Sequence, residues 1–111
     1  VWGSKGSLSI DRNANAIDGV LQFPINPAER HHLTAKPVAL MQEIVQVCEK
    51  GGTIADPFAG SGTTGVAALL EGYQFIGCER EAAYVKIARQ RLHEVENPLA
   101  GLEAKQGVLV V

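Results

Sequence analysis

The chain has 111 residues, which allows one domain at most. Its apolar content of 46% is ordinary for a globular protein, so disorder is not the default. The formal charge of −2 excludes an overall cationic field of the kind a complete DNA-binding surface carries. No apolar run approaches membrane-spanning length and no signal-like segment opens the chain, so the cytoplasm is the expected compartment.

Residues 1–19 are rich in Gly, Ser, Asn and Asp and lack helical periodicity, which predicts a flexible N-terminal segment. Residues 20–111 then form the expected domain. Val20 to Phe23 has the composition of a short strand, closed by Pro24. Residues 24–35 read as a polar connector. Within it and just beyond, Arg30, His31, His32 and Lys36 cluster; they suit either a polar loop or contact with an anion. Pro37 fits the first turn of a helix, where its missing N–H costs nothing. Leu40, Met41, Ile44, Val45, Val47 and Cys48 continue that helix as an apolar stripe, and Gly51-Gly52 stops it.

A strand is predicted over 53–58, a helix over about 62–70 ended by Gly72, and a second strand over 74–79. Between the first strand and its helix lies Asp56-Pro57-Phe58-Ala59-Gly60-Ser61-Gly62-Thr63-Thr64. A glycine turn there presents free backbone N–H groups and the positive end of a helix dipole to a ligand. Parallel pairing of the two strands would bring Glu79 beside the turn, a carboxylate aimed at ribose hydroxyls. An amphipathic helix over 81–95 follows, with Tyr84, Ile87, Ala88, Leu92 and Val95 inward; Lys86, Arg89 and His93 share another face, which suits solvent first and a DNA contact second. Asn97-Pro98 ends it. After a loop, Val108 to Val111 has strand composition and suits either a neighbour of the 74–79 strand or a frayed terminus.

The residues themselves leave three readings of the turn. Gly60, Gly62 and Gly65 satisfy G-x-G-x-x-G, with Glu79 near the spacing of a dinucleotide site. An S-adenosylmethionine site uses the same strand–turn–helix logic, and a tight turn without a ligand is the plain alternative. A phosphate-cradling G-x-x-x-x-G-K-[ST] loop fails, because Val66 stands where its lysine belongs. Cys48 and Cys78 lie in apolar patterns and read as buried, reduced thiols. With no C-x-x-C, and with His31-His32 lacking partners at ligand spacing, no metal site is expected.

Asp56-Pro57-Phe58-x-Gly60-Ser61-Gly62-Thr63-Thr64 resembles the cofactor motif of the amino-group DNA methyltransferases, which modify the exocyclic nitrogen of adenine or cytosine. Upstream, His32-Leu33-Thr34-Ala35-Lys36-Pro37-Val38-Ala39-Leu40 is similar to the H-x-x-x-K-P-x-x-L segment of the permuted (β-type) members, with Leu33 where proline is frequent. Gly77-Cys78-Glu79 matches their acidic ribose-binding element. Three matches in one order cover roughly residues 20 to 93.

The resemblance implies an α/β fold: a partial Rossmann-like S-adenosylmethionine-dependent methyltransferase, its mostly parallel sheet flanked by helices. It implies S-adenosylmethionine as cofactor. Asp56, Phe58 and Ala59 would begin the turn; Gly60, Ser61 and Gly62 would wrap the methionine part, with Thr63 and Thr64 near its carboxylate. Glu79 would accept from the ribose hydroxyls, Arg80 would flank the adenine, and His32, Thr34 and Lys36 would close over the methionine end. The family's catalytic motif is Asp, Asn or Ser followed by Pro-Pro and an aromatic. The five prolines, at 24, 27, 37, 57 and 98, include no adjacent pair, so no catalytic residue is assigned. The chain is therefore expected to be the cofactor-binding part of a larger or split enzyme, inactive alone. Its expected partners are the N-terminal catalytic half or a second copy as a homodimer, and DNA mainly through that missing half. The rival expectations are a free-standing cofactor-binding or oligomeric module and, further off, a fragment of a dinucleotide-binding oxidoreductase.

Overall fold

The computed structural model describes residues 19–24 and 36–98. The expected flexible segment over 1–19, the connector cluster with His32 and Thr34, and the C-terminal strand at 108–111 therefore lie almost wholly outside the described residues. Val20 to Phe23 is described and forms no strand, and Val20 is exposed.

Helix α1 spans Val38–Val45. Pro37 caps it from an extended backbone (φ −60°, ψ 138°) rather than entering the first turn. Its carbonyl accepts the Met41 N–H at 3.3 Å, so the ring's missing donor falls where no helical bond is needed. The helix stops earlier than its apolar stripe. Val47 and Cys48 donate to Ile44 and Val45 across only three residues, tightening the chain before Gly51 turns it at φ +74°. Val45 is the residue of α1 that is fully buried.

Strand β1 (Thr53–Asp56) and strand β2 (Gln74–Gly77) pair in parallel, with Ile54 opposite Phe75 and Asp56 opposite Gly77. Backbone bonds carry the pairing past the strands at both ends. Gln74 donates to Gly52 at 3.0 Å, Cys78 to Asp56 at 2.9 Å and Ala59 to Cys78 at 2.9 Å. The pairing thus reaches almost as far as the predicted strands did.

Helix α2 (Thr63–Leu70) crosses between the strands and is the most buried element; Ala67 and Ala68 have no exposed surface. Small residues let it sit close to its neighbours. A Cβ at Gly65 would fall 2.5 Å from the Phe75 ring and 2.8 Å from Leu92. A Schellman motif ends α2: Tyr73 donates to Ala68, Gly72 donates to Leu69, and Gly72 takes φ +81°. Helix α3 (Ala82–Glu96) packs against α2 through Ala88, with Tyr84, Ile87, Leu92 and Val95 half-buried and Lys86, Arg89 and His93 exposed, as predicted.

The core joins Val45, Ile54, Ala68 and Tyr73, with Cys48 and Phe75 packed against it. By strand alternation the other face of the sheet carries Thr53, Ala55, Gln74 and Ile76. Among the described residues that face is open, and Ile76 is 60% exposed. Cys78 is also exposed and Cys48 only half-buried. The buried thiol expected at Cys78 is therefore corrected: it follows Ile76 on the uncovered face.

Candidate cofactor-binding site

The turn from Asp56 to Gly62 lies at the carboxyl ends of both strands, where open parallel sheets bind their ligands. Asp56 shapes its start. One carboxylate oxygen accepts the Phe58 N–H at 3.0 Å, the side-chain-to-backbone bond that aspartate favours in turns. Gly60 (φ 54°) and Gly62 (φ 80°) then take left-handed conformations that a Cβ disfavours. The Gly62 N–H closes the turn on the Ala59 carbonyl at 2.8 Å. The first bond of α2 runs from the Val66 N–H to the Gly62 carbonyl, so the N–H groups of Thr63, Thr64 and Gly65 precede the helical ladder.

Glu79 reaches the turn, as its position at the end of β2 predicted. One of its oxygens accepts the Gly60 N–H at 2.9 Å and the other accepts the Glu81 N–H at 2.8 Å. The Glu81 bond does most to hold the carboxyl below its ordinary value; partial desolvation opposes it, and Gly60 and Arg80 add to the lowering. Glu79 is therefore ionised at neutral pH. The carboxylate keeps lone-pair capacity for an outside donor, so it can brace the turn and accept a hydroxyl at the same time.

Sequence reasoning missed Arg91. From α3 its Nη1 donates to the Ser61 carbonyl at 2.7 Å, to Ser61 Oγ at 3.3 Å and to Thr63 Oγ1 at 3.1 Å. Its signal was a cation within the inward stripe of α3, one position before Leu92 and three after Ala88. Burial lowers its pKa, against a smaller raising effect of Glu94. The contact gives Ser61 and Thr63 a structural part as well. Ser61 is 1% exposed and both hydroxyls face the guanidinium, so their side chains support the turn from behind.

Gly62 meets α3 as well. A Cβ there would lie 2.9 Å from Ala88 Cβ, so this glycine is required by α3 as well as by its own φ. Phe58 is 87% exposed at the mouth of the turn, with Ala59 and Thr64 half-buried behind it. Arg80 and Lys36 are exposed, and no described hydrogen bond joins Lys36 to the turn. A separate cavity of about 400 Å³, lined by Cys48, Lys50 and Tyr73 among others, opens by the loop that ends α2 and contains none of the expected site residues. No described helix is long and apolar enough to cross a membrane.

Residues 3–90 match the family model for N6/N4 methyltransferases, described as DNA methylase. The type II methyltransferase M2.DpnII of Streptococcus pneumoniae is 52% identical over 67 residues, covering 60% of this chain and 25% of that protein. M.HinfI of Haemophilus influenzae is 39% identical over 83 residues, covering 69% of this chain and 23% of its own length. The chain thus spans about a quarter of these relatives. Among solved structures, the M1.HpyAVI–SAM complex superposes with a TM-score of 0.57 at 38% identity, covering 66% of this chain and 36% of that one. TTHA0409 of Thermus thermophilus, complexed with S-adenosyl-L-methionine, does so at 0.51 and 33%, covering 54% and 25%. Their likeness gives the described elements their place in a Rossmann-like methyltransferase fold, with one parallel strand pair and its helices present. With the family model matched over most of its length, this chain belongs to the amino-group DNA methylase family.

Proposed function

We propose that this chain is the S-adenosylmethionine-binding part of a site-specific DNA methyltransferase that methylates the exocyclic amino group of adenine or cytosine. One observation carries the reading. A left-handed glycine turn at the carboxyl end of a parallel strand pair is joined by a hydrogen bond to an ionised carboxylate two residues past the next strand. That pairing offers backbone donors for one end of the ligand and acceptors for its ribose.

Glu79 accepts from the ribose hydroxyls through its remaining lone pairs. The methionine end meets the α2 N-terminus, where Thr63 and Thr64 offer backbone N–H groups and the helix dipole favours a carboxylate. Phe58 covers the mouth of the site and Arg80 flanks the adenine. His32, Thr34 and Lys36 close over the methionine end, by resemblance alone. When bound, the cofactor supplies an electrophilic methyl group on a sulfonium. The residues of this chain fix its position, which is the larger part of what a transferase asks of a cofactor domain.

The base is reached by extrusion from the duplex. The Pro-Pro-aromatic element that would hold it is absent from these 111 residues, so no catalytic residue is assigned here. The base-holding groups and most DNA contacts belong to the remainder of the methyltransferase, or to a second chain. The open face with Ala55 and Ile76 supports such a partner.

Calorimetry with S-adenosylhomocysteine and NAD tests the assignment. The homocysteine ligand should bind and NAD should not; tighter binding of NAD would reverse it. Glu79→Gln should weaken S-adenosylhomocysteine about ten- to a hundred-fold, because the amide presents one acceptor oxygen in place of two.

A further inference from the structure

We infer that Arg91 is a positioning residue for the cofactor, fixing from α3 the half of the turn that meets the amino-acid end of the ligand. The inference rests on the cofactor reading above and names the residue that sets the shape of that site. Arg91 binds three oxygens on Ser61 and Thr63, the residues that flank left-handed Gly62. Glu79 grips the other side of the turn at Gly60. The turn is therefore held by a carboxylate on its ribose side and a guanidinium on its helix side.

Two further observations give this contact its direction. Ala88, one turn before Arg91 on α3, sits directly under Gly62. So α3 touches the turn at two points on the same helix face, and the position of α3 dictates where α2 begins. The guanidinium is also half-buried against neutral oxygens, with Glu94 on its own helix as the charged neighbour that affects it. A cation in that setting is costly unless its donors are used. Its charge adds to the positive end of the α2 dipole. Charge and dipole both favour an anionic group at the α2 N-terminus, and the amino-acid end of the cofactor carries a carboxylate.

A role confined to folding would weaken every ligand alike, whereas a role at the amino-acid end discriminates. S-adenosylhomocysteine and 5′-methylthioadenosine share adenosine and a thioether, but only the first carries the amino-acid group. Titration of both is compared in the full chain, in Arg91→Met and in Arg91→Lys, beside amide hydrogen exchange of residues 60–64. Arg91→Met should weaken S-adenosylhomocysteine about ten-fold or more and 5′-methylthioadenosine less than about two-fold. Exchange in the turn should quicken while that of Val45 and Ile54 holds. Arg91→Lys, with its charge and a single donor group, should recover part of both effects. Equal losses for the two ligands, or unchanged exchange in the turn, would overturn the inference. If the unmutated chain binds neither ligand, the cofactor reading fails by itself, and exchange still decides whether Arg91 holds the turn.

Discussion

Gly62 offers a test of why the glycine pattern exists. Replacing it with alanine does two separate things. The residue sits at φ 80°, where a Cβ costs about 1–2 kcal/mol. The new methyl also falls 2.9 Å from Ala88 Cβ and 3.1 Å from Ala88 Cα, and relief of such overpacking costs about 1–3 kcal/mol. Gly62→Ala should therefore destabilise the fold by about 2–5 kcal/mol, against a total for small domains of about 5–15 kcal/mol. The two causes separate in a double-mutant cycle. Ala88→Gly alone should cost about 1–2 kcal/mol, from helix propensity and one lost buried methyl. In the Gly62→Ala background it also removes the nearest clashing atom, though the crowding against the α3 backbone and the φ strain remain. The double variant should thus be more stable than the sum of the singles by about 1–2 kcal/mol. Denaturant midpoints at constant slope measure all four corners without ligand. Additivity within about 0.5 kcal/mol would show that a side chain at Gly62 does not meet α3, and the packing account would fail.

Two other perturbations address ionisable groups. The fold holds Glu79 below its ordinary pKa of 4.5, so its stabilising effect is present above that value and is lost as pH falls through the folded pKa. The melting-temperature gap between the unmutated chain and Glu79→Gln should be steady from about pH 6 to 8 and close in acid; a gap that widens in acid would contradict the bonding seen at Gly60 and Glu81. Tyr73 donates from its hydroxyl to the Cys48 carbonyl at 3.2 Å, and burial, then Cys48 and Glu71, raise its pKa above 10.0. Tyr73→Phe should cost about 0.5–1.5 kcal/mol at neutral pH. A raised pKa contributes stability below the ordinary value and loses it as pH rises through the folded one, so the unmutated chain should lose stability in strong alkali by a step that Tyr73→Phe lacks. Identical alkaline profiles would refute it.

What the sequence made legible was local in origin. Glycines at 60 and 62, aspartate at 56 and an apolar run on each side specify strand, turn and helix through short-range sterics, and Glu79 follows from the length of one crossover. What the sequence did not reveal has tertiary causes. The stripe of α1 continues to Cys48 by periodicity, yet the helix ends at Val45 and Tyr73 takes the Cys48 carbonyl from 25 residues away. The resemblance assigns Ser61 and Thr63 to the cofactor, and their side chains also brace the turn. Their hydroxyls face α3 because Arg91, 28 to 30 residues on, supplies the donors. Neither partner can be read from spacing along the chain.

Strand β2 carries one more message. Phe75-Ile76-Gly77-Cys78 is a continuous apolar run, the pattern of a parallel strand covered on both faces. The described helices contact one face only, through Ile54 and Phe75, and leave Ile76 60% exposed. Burying what remains exposed of that side chain would be worth about 1–2 kcal/mol, a sizeable share of what a small domain has to spare. Selection for a solvent-facing strand would favour alternation with polar residues, as Thr53 and Gln74 show at the start of the same face. The polar pair lies at the start of the strands and the apolar pair, Ala55 and Ile76, at their carboxyl ends, nearest the turn. A covering element that buries the apolar pair therefore approaches the sheet at the cofactor end. Under the proposed reading, base-holding groups would have to come within reach of the methyl donor there, so the exposed pair marks the side from which such an element would approach.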